Sequence, residues 1–421
     1  MKKIVAILLL LVFVLGTAAT ASAEKTVVNV WRHSGKEAEQ INIVEQIDAF
    51  NASHDDIEIA YEVIPEGEYN TQVAAAAMSG ALPDVFMLDG PNMSNYAWSG
   101  YLLALDDYAT EDLLSDLLPS IIAQGTYKGN LYAIGSFDSG LAIFANKSML
   151  EEIGARIPTS VEEAWTLDEF NQILEDLSKL EGVEYPLDLK FNYGQGEWYT
   201  YGFSPVVESF GGDLINRETL VAEGTFNGPE SVAALEWFQS LAEKGYVNVA
   251  QVSDTDMEDG VSGVTLVGHW EANIYKEAMG DNVVLVPMPK FGDKVVTGMG
   301  SWAWGISAAT ANPDAAWTVL SYFLSPENVA KTGKAVGAVP ARISVLDTFE
   351  DYQPGGYLYI FREQLEGGYA VERPTTAAYP VITTQFAEAF QNIMKGSDVQ
   401  EQLDKGAAII DQDIADNDGY Q

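Results

Sequence analysis

Carboxylates, histidines and indole rings recur where short apolar runs of this chain come to an end. Arg32, His33 and Ser34 follow the run 26–31, and Asp89 with Gly90 follows 84–88. Gly268, His269, Trp270 and Glu271 follow 264–267, Asp138 stands just ahead of 141–145, and Trp302 and Trp304 alternate with Ala303 in the run 302–306. Asp89, Asp138 and Glu271 are of the type that forms the acid and base pair of a glycosidase. No local motif sets a distance between them, however, and acids that only hydrogen-bond a ligand have the same appearance. His33 and His269 are of the type that ligates a metal, yet neither belongs to an H-E-x-x-H or comparable spacing, and no metal site is expected. The chain holds no G-x-S-x-G nucleophile elbow and no G-x-x-x-x-G-K-[ST] phosphate loop. What the mixture does suit is a pyranose ring. Its C–H faces rest on an aromatic plane while its hydroxyls meet carboxylates, amides and Arg.

Composition narrows the field. The 421 residues carry 22 Lys plus Arg against 62 Asp plus Glu, a formal net charge of −40, with three His and no Cys. Nucleic acid is excluded as a partner, because a phosphate backbone must be met by cations, and an anionic membrane surface is disfavoured for the same reason. Without Cys there is no disulfide, thiolate nucleophile, iron–sulfur cluster or cysteine zinc site, and no cofactor is expected. The densest acidic stretch, 254–260, lacks the ligand spacing and terminal Glu of an EF-hand loop and is read as solvated surface. The N-terminus reads as an export signal over residues 1–23. Lys2 and Lys3 precede an apolar run at 4–15, and Ala21-Ser22-Ala23 supplies the cleavage pattern, so the mature chain is expected to begin near Glu24.

The elements that must position these residues follow from periodicity. Run 26–31 reads as a strand, 38–50 as an amphipathic helix with Ile41, Val44, Ile47 and Phe50 on one face, 57–64 as a strand, 69–78 as an Ala-rich helix and 84–88 as a strand. That βαβαβ order argues for an α/β sandwich. Strands are also expected at 141–145, 264–267, 283–286 and 302–306. Thr166 and Glu169 form a capping box that opens a helix. Helices open at Gly228-Pro229, Asn312-Pro313 and Ser325-Pro326, the first stopping at Gly245. In open α/β sheets ligands lie beyond the carboxyl ends of strands, which is where Arg32, His33, Ser34, Asp89 and 268–271 are found. Trp31, Trp237 and Trp317 lie within apolar stretches and are assigned to the core. Trp198, in the Gly-rich stretch 193–201, is assigned to a site.

With these residues in hand, the chain resembles the bacterial extracellular solute-binding proteins of family 1, the sugar-capturing components of ABC importers. The resemblance spans the mature chain. It rests on 47–50 leading to Asn51, on Tyr69 followed by Met78-Ser79-Gly80 and Pro83-Asp84-Val85, and on 127–133 leading to Asn146-Lys147. Further on it rests on 166–170, Gly211-Gly212-Asp213, 268–270, 300–307, 312–324 and 337–342. Leu167 departs from the Trp common after the capping Thr. The absence of a lipobox Cys points to a periplasm.

The resemblance implies a two-lobed periplasmic binding protein-like fold of type II, each lobe a sheet flanked by helices, with a hinge and a ligand cleft between them. On that pattern lobe 1 is 24–136 plus 298–340 and lobe 2 is 137–297 plus 341–421. The implied ligand contacts are His33, Ser34, Asp89, Asp138, Trp198, Trp270, Glu271, Trp302 and Arg342, with Tyr69 and Arg373 added to that set. The indoles would stack, the acids accept from hydroxyls and Arg342 donate. The implied protein is a periplasmic, non-catalytic monomer whose partners are a sugar and the permease subunits of an ABC transporter. A polyamine in the same fold and an exported carbohydrate-active enzyme are the alternatives.

Overall fold

In the strand Thr26–His33, burial alternates with the pleat at first: Val28 and Val30 are buried while Val27 and Asn29 are exposed. The alternation stops at Arg32 and His33, which are both buried, so the carboxyl end of the strand runs into packed structure on either side. This computed structural model describes residues 25–300 and 302–420, and the expected leader and its cleavage point lie outside the described residues.

Thr26–His33 belongs to a five-stranded sheet in the order Ile57–Ile64, Thr26–His33, Val85–Asp89, Trp302–Ile306, Ala133–Gly135. The first three strands are parallel, and Trp302–Ile306 runs antiparallel to both its neighbours. An antiparallel strand begins where its parallel neighbours end, so the register sets Trp302 opposite Asp89. A second sheet has the order Val283–Val286, Leu141–Asn146, Val264–Gly268, Leu187–Asp188. The expected strands are found, and the expected helices are Glu37–Ser53, Glu66–Ser79, Leu167–Leu177, Pro229–Glu243, Pro313–Phe323 and Pro326–Val336. The capping box of Thr166 and Glu169 is made in both directions.

One helical face differs from the expectation. Ile41 is exposed, and the buried stripe of Glu37–Ser53 is Glu39, Asn42, Ile43, Gln46, Ile47 and Phe50. Polar residues occupy that stripe because each finds a partner inside: Glu39 takes Arg32 at 2.7 Å, and Asn42 and Gln46 both donate to Thr332 Oγ1 at 3.1 Å. Hydrophobicity alone cannot anticipate a buried face whose amides and acid are satisfied.

The segments that pass between the sheets are tied to one another. Phe137–Asp138 pairs antiparallel with Val339–Pro340, and Thr297–Gly298 pairs parallel with Ala370–Val371. The fully buried Asp138 accepts from the backbone N–H groups of Ser139 (2.8 Å) and Gly300 (3.1 Å) and from Gln124 (3.1 Å). Burial pushes its carboxyl above the usual range, and these donors are what keep it stable inside. One apolar cluster packs around the first sheet and extends to Phe144 of the second sheet and to Tyr275 and Phe361. Another occupies the opposite side of the second sheet, where Phe203, Phe238 and Phe390 meet. The C-terminal helices Tyr379–Met394 and Val399–Asp416 contribute to that second cluster. No helix among the described residues is long and apolar enough to cross a membrane.

Packing at the sheet edge is close enough to exclude a methyl group. Gly125 ends the helix Pro119–Gly125, and a Cβ there would lie 1.9 Å from the Ala133 carbonyl oxygen. Gly125→Ala is expected to destabilise the fold by about 1–3 kcal/mol, read as a lower midpoint in urea with an unchanged slope. A midpoint equal to that of the parent would show that the strand Ala133–Gly135 shifts freely.

Candidate functional site

Two aromatic faces meet where the sheets approach. On the first, the His33 ring stacks on Trp302 with centroids 3.9 Å apart and planes 21° from parallel. Tyr69 stands edge-on to both, and its hydroxyl donates to the Met87 carbonyl at 2.7 Å. Glu39 and Glu66 carboxylate oxygens lie 3.5 and 3.8 Å from the two His33 ring nitrogens. Ser34 Oγ accepts from the backbone N–H of Glu66 at 3.2 Å. Trp304, on the same strand as Trp302, stacks instead on Phe323 in the core.

The second face is built from Tyr193, Trp198, Tyr201 and Trp270. Trp270 lies edge-on to Trp198 at 5.8 Å and donates from Nε1 to the Tyr193 hydroxyl (3.1 Å), which donates to Glu271 Oε1 (2.6 Å). Trp198 donates to the Leu189 carbonyl at 3.0 Å. Both indoles stay partly exposed. Gly268 permits this arrangement, since a Cβ there would lie 2.1 Å from the Trp270 ring.

Two cations join the faces. Arg373, nine-tenths buried, pairs with Asp89 of the first sheet at 3.0 Å and with Glu197 of the second lobe at 2.5 Å, and its guanidinium lies 4.8 Å over the Tyr201 ring. Glu197 also accepts from Thr383 at 2.7 Å and from Tyr379. Burial raises the Glu197 carboxyl, and Arg373 opposes that shift. Burial likewise works against the Arg373 cation, but Asp89, Tyr379 and Glu197 more than offset it. A small cavity lined by Gly90, Gln124, Gly300 and Arg373 lies beside this pair. Lys36, just beyond the first strand, reaches Glu271 at 2.6 Å and Asp254 at 3.1 Å.

Of the residues expected at the site, His33, Ser34, Asp89, Trp198, Trp270, Glu271 and Trp302 are gathered on these faces. Two are not brought to them. Asp138 is sealed in the crossing described above. Arg342 is paired with Asp116 at 2.7 Å and donates to the Leu324 carbonyl at 2.8 Å. Its backbone bridges to Leu117, so it anchors a returning segment rather than offering a donor to the cleft. The expectation for Arg342 came from the family resemblance, and position along the chain does not say which way a long side chain turns. Lys36, Tyr193, Glu197 and Tyr201 are additions from the structure. Tyr193 and Tyr201 bound the Gly-rich stretch that drew attention to Trp198, whereas Lys36 and Glu197 carry no local signal.

His269 has a different place. Its Nδ1 lies 3.0 Å from the Val336 carbonyl, which can only accept, so Nδ1 carries the proton. Nε2 then accepts from Ser139 Oγ at 2.9 Å, which accepts in turn from the Tyr201 hydroxyl at 2.9 Å. This chain of bonds requires a neutral ring, and burial brings its pKa down to about 4.

A model of the bacterial extracellular solute-binding protein family matches residues 45–353. The chain belongs to that family. Among its relatives, the maltotriose-binding protein of Pyrococcus abyssi is 24% identical over 332 residues, covering 76% of this chain and 67% of the relative. The GacH receptor of Streptomyces glaucescens superposes with a TM-score of 0.78 at 22% identity, covering 92% of this chain and 98% of the receptor. A cyclic alpha-maltosyl-1,6-maltose binding protein from Arthrobacter globiformis does so with 0.71 at 25% identity, covering 92% and 99%. The fold is the two-lobed, type II arrangement of the solute-binding proteins, and the aromatic faces lie between its two sheets.

Two outcomes follow. Arg373→Met leaves Asp89 and Glu197 buried without their cation and is expected to destabilise the protein by about 3–5 kcal/mol in urea titration. An unchanged midpoint would show that the pair is not a structural tie. For His269 the folded pKa lies below the unfolded value, so the unfolded chain takes up the proton first and stability falls as pH drops from 6.5 toward about 4. That contribution is on the order of 3 kcal/mol. His269→Gln should flatten the dependence in this window, and an equally steep profile in the variant would reject the assignment.

Proposed function

We propose that this solute-binding protein is the periplasmic component of an ABC importer, capturing a mono- or oligosaccharide between its lobes by hinge closure and presenting the closed form to the permease. The observation that carries this reading is the pair of opposed aromatic faces, one from each lobe, each edged by carboxylates and joined by cations. Trp302 on one side and Trp270 and Trp198 on the other supply flat apolar area for pyranose faces. Asp89, Glu271, His33 and Ser34 supply polar atoms for hydroxyls. The maltotriose-binding relative favours an oligosaccharide. In this proposal lobe 1 is 24–136 plus 298–340, lobe 2 is 137–297 plus 341–421, and the protein acts as a monomer exported by the leader 1–23. Closure is favoured because a ligand touching both lobes binds the closed state with greater affinity.

A non-catalytic role is supported by how the acids are held. Asp89 pairs with Arg373, Glu271 with Lys36 and Tyr193, and Asp138 with backbone N–H groups. A general acid or base must be free to reach the bond it acts on, and each of these acids is already engaged by partners within the chain.

Thermal unfolding with maltotriose, other oligosaccharides, monosaccharides and organic acids tests this, with product analysis of each mixture. A sugar at ~100 times its dissociation constant should stabilise by about 2.7 kcal/mol and be recovered intact. Trp270→Ala should weaken its binding by about tenfold or more without lowering the unfolding midpoint of the free protein substantially. Cleaved sugar would overturn the binding role, and an unchanged affinity would remove Trp270 from the site.

A further inference from the structure

Lys36 is the first lobe's contribution to a recess otherwise made by the second. Its ammonium lies 2.6 Å from Glu271 and 3.1 Å from Asp254, with the Tyr193 ring centroid 5.4 Å away. Glu271 is almost wholly buried, and its other hydrogen bond comes from the Tyr193 hydroxyl. Behind it, the buried Lys190 is shared between Asp188 (3.3 Å) and Asp254 (3.2 Å), and Asn192 donates to Asp254 at 2.9 Å. The recess thus holds the carboxylates Glu271, Asp254 and Asp188 against Lys190 alone until Lys36 crosses the cleft. Burial disfavours the Lys36 cation, yet Glu271 and Asp254 hold its pKa above the ordinary lysine value, so the ammonium stays charged. A carboxylate, a second carboxylate and a phenol ring around an ammonium are also what would recognise an amine ligand.

We infer that Lys36 is a specificity-determining residue: its ammonium fills an amine-binding recess from within the chain, so that the closed cleft admits neutral solutes and turns away cationic ones. This rests on the reading of the protein as a receptor for a neutral sugar. A diamine entering the recess must displace Lys36 and leave that lysine without its partners, whereas a neutral solute keeps the bridge intact. The same contact draws the lobes together, because its cation and its anions come from opposite sides of the cleft. Loss of Lys36 would leave Glu271 buried and uncompensated on closure, and the recess would then take an external ammonium in its place.

The test compares unfolding midpoints in n-propylammonium chloride or 1,4-diaminobutane dihydrochloride with those in sodium chloride at equal ionic strength. The parent protein is expected to show no amine-specific rise. Lys36→Ala should have a lower midpoint that the amines, but not sodium, raise by several degrees. Lys36→Arg should behave as the parent does, and adding Glu271→Gln to Lys36→Ala should abolish the amine response. Should Lys36→Ala not fold, Lys36→Met, which keeps the alkyl stem against Tyr193, is read in the same way. An amine-specific rise of equal size in the parent, or none in either lysine variant, would overturn the inference. The sugar-dependent shift of the parent is a separate reading, so failure there would count against the sugar and leave the amine result to be judged by itself.

Discussion

A guanidinium nine-tenths removed from water has to be matched by anions, and in this protein the anions stand on different lobes. Asp89 ends a strand of the first sheet, Glu197 opens a helix of the second lobe, and Arg373 is held between them over the Tyr201 ring. Removing the guanidinium would leave both acids buried without their cation, where the cost exceeds that of most packing defects. Their geometry therefore defines how far the lobes can part before water must enter. Tyr379 and Thr383 complete the shell of Glu197 and so connect this tie to the helix Tyr379–Met394.

The crossings supply the complementary constraint. Asp138 gathers backbone N–H groups from two of them, and its segment pairs with the third. His269 adds a bond from the second sheet's loop to the end of the helix Pro326–Val336. Rotation about these strands leaves the aromatic faces intact as units, because each is stabilised within its own lobe: His33, Tyr69 and Trp302 on one, Tyr193, Trp198, Tyr201 and Trp270 on the other. Rigid faces on a flexible connection suit capture of a flat-sided solute, since little side-chain freedom is lost on binding. Lys36 and Arg373 then act at opposite ends of that encounter, one extending from the first lobe and one seated beside the crossings.

Much of this was legible in the residues. Alternation and apolar runs located the strands, and Pro and Gly at helix ends located the helices, because these signals arise from backbone geometry that neighbours along the chain largely decide. Strand ends identified His33 and Asp89 in one sheet and Trp270 and Glu271 beyond the other, since ligands lie past the carboxyl ends of strands, and Trp302 joins them because its antiparallel strand begins opposite Asp89. The buried face of Glu37–Ser53 escaped because Glu39 is satisfied by Arg32 of the preceding strand, and Asn42 and Gln46 by Thr332, far along the chain. Arg342 misled because its side chain was claimed by Asp116, 226 residues earlier.

The sequence by itself determined the α/β class, the positions of the strands, the exclusion of thiol and nucleic-acid chemistry, and the sugar-suited character of the strand-end residues. Each of those depends on composition or on contacts a few residues apart. Only the tertiary structure decided which charges face one another: that Lys36 meets Glu271, that Arg373 joins Asp89 to Glu197, and that Asp138 is sealed among backbone donors. Ion pairs between residues hundreds of positions apart leave no local pattern. Their partners are chosen by the meeting of two lobes, whose juxtaposition arises only when the whole chain has folded.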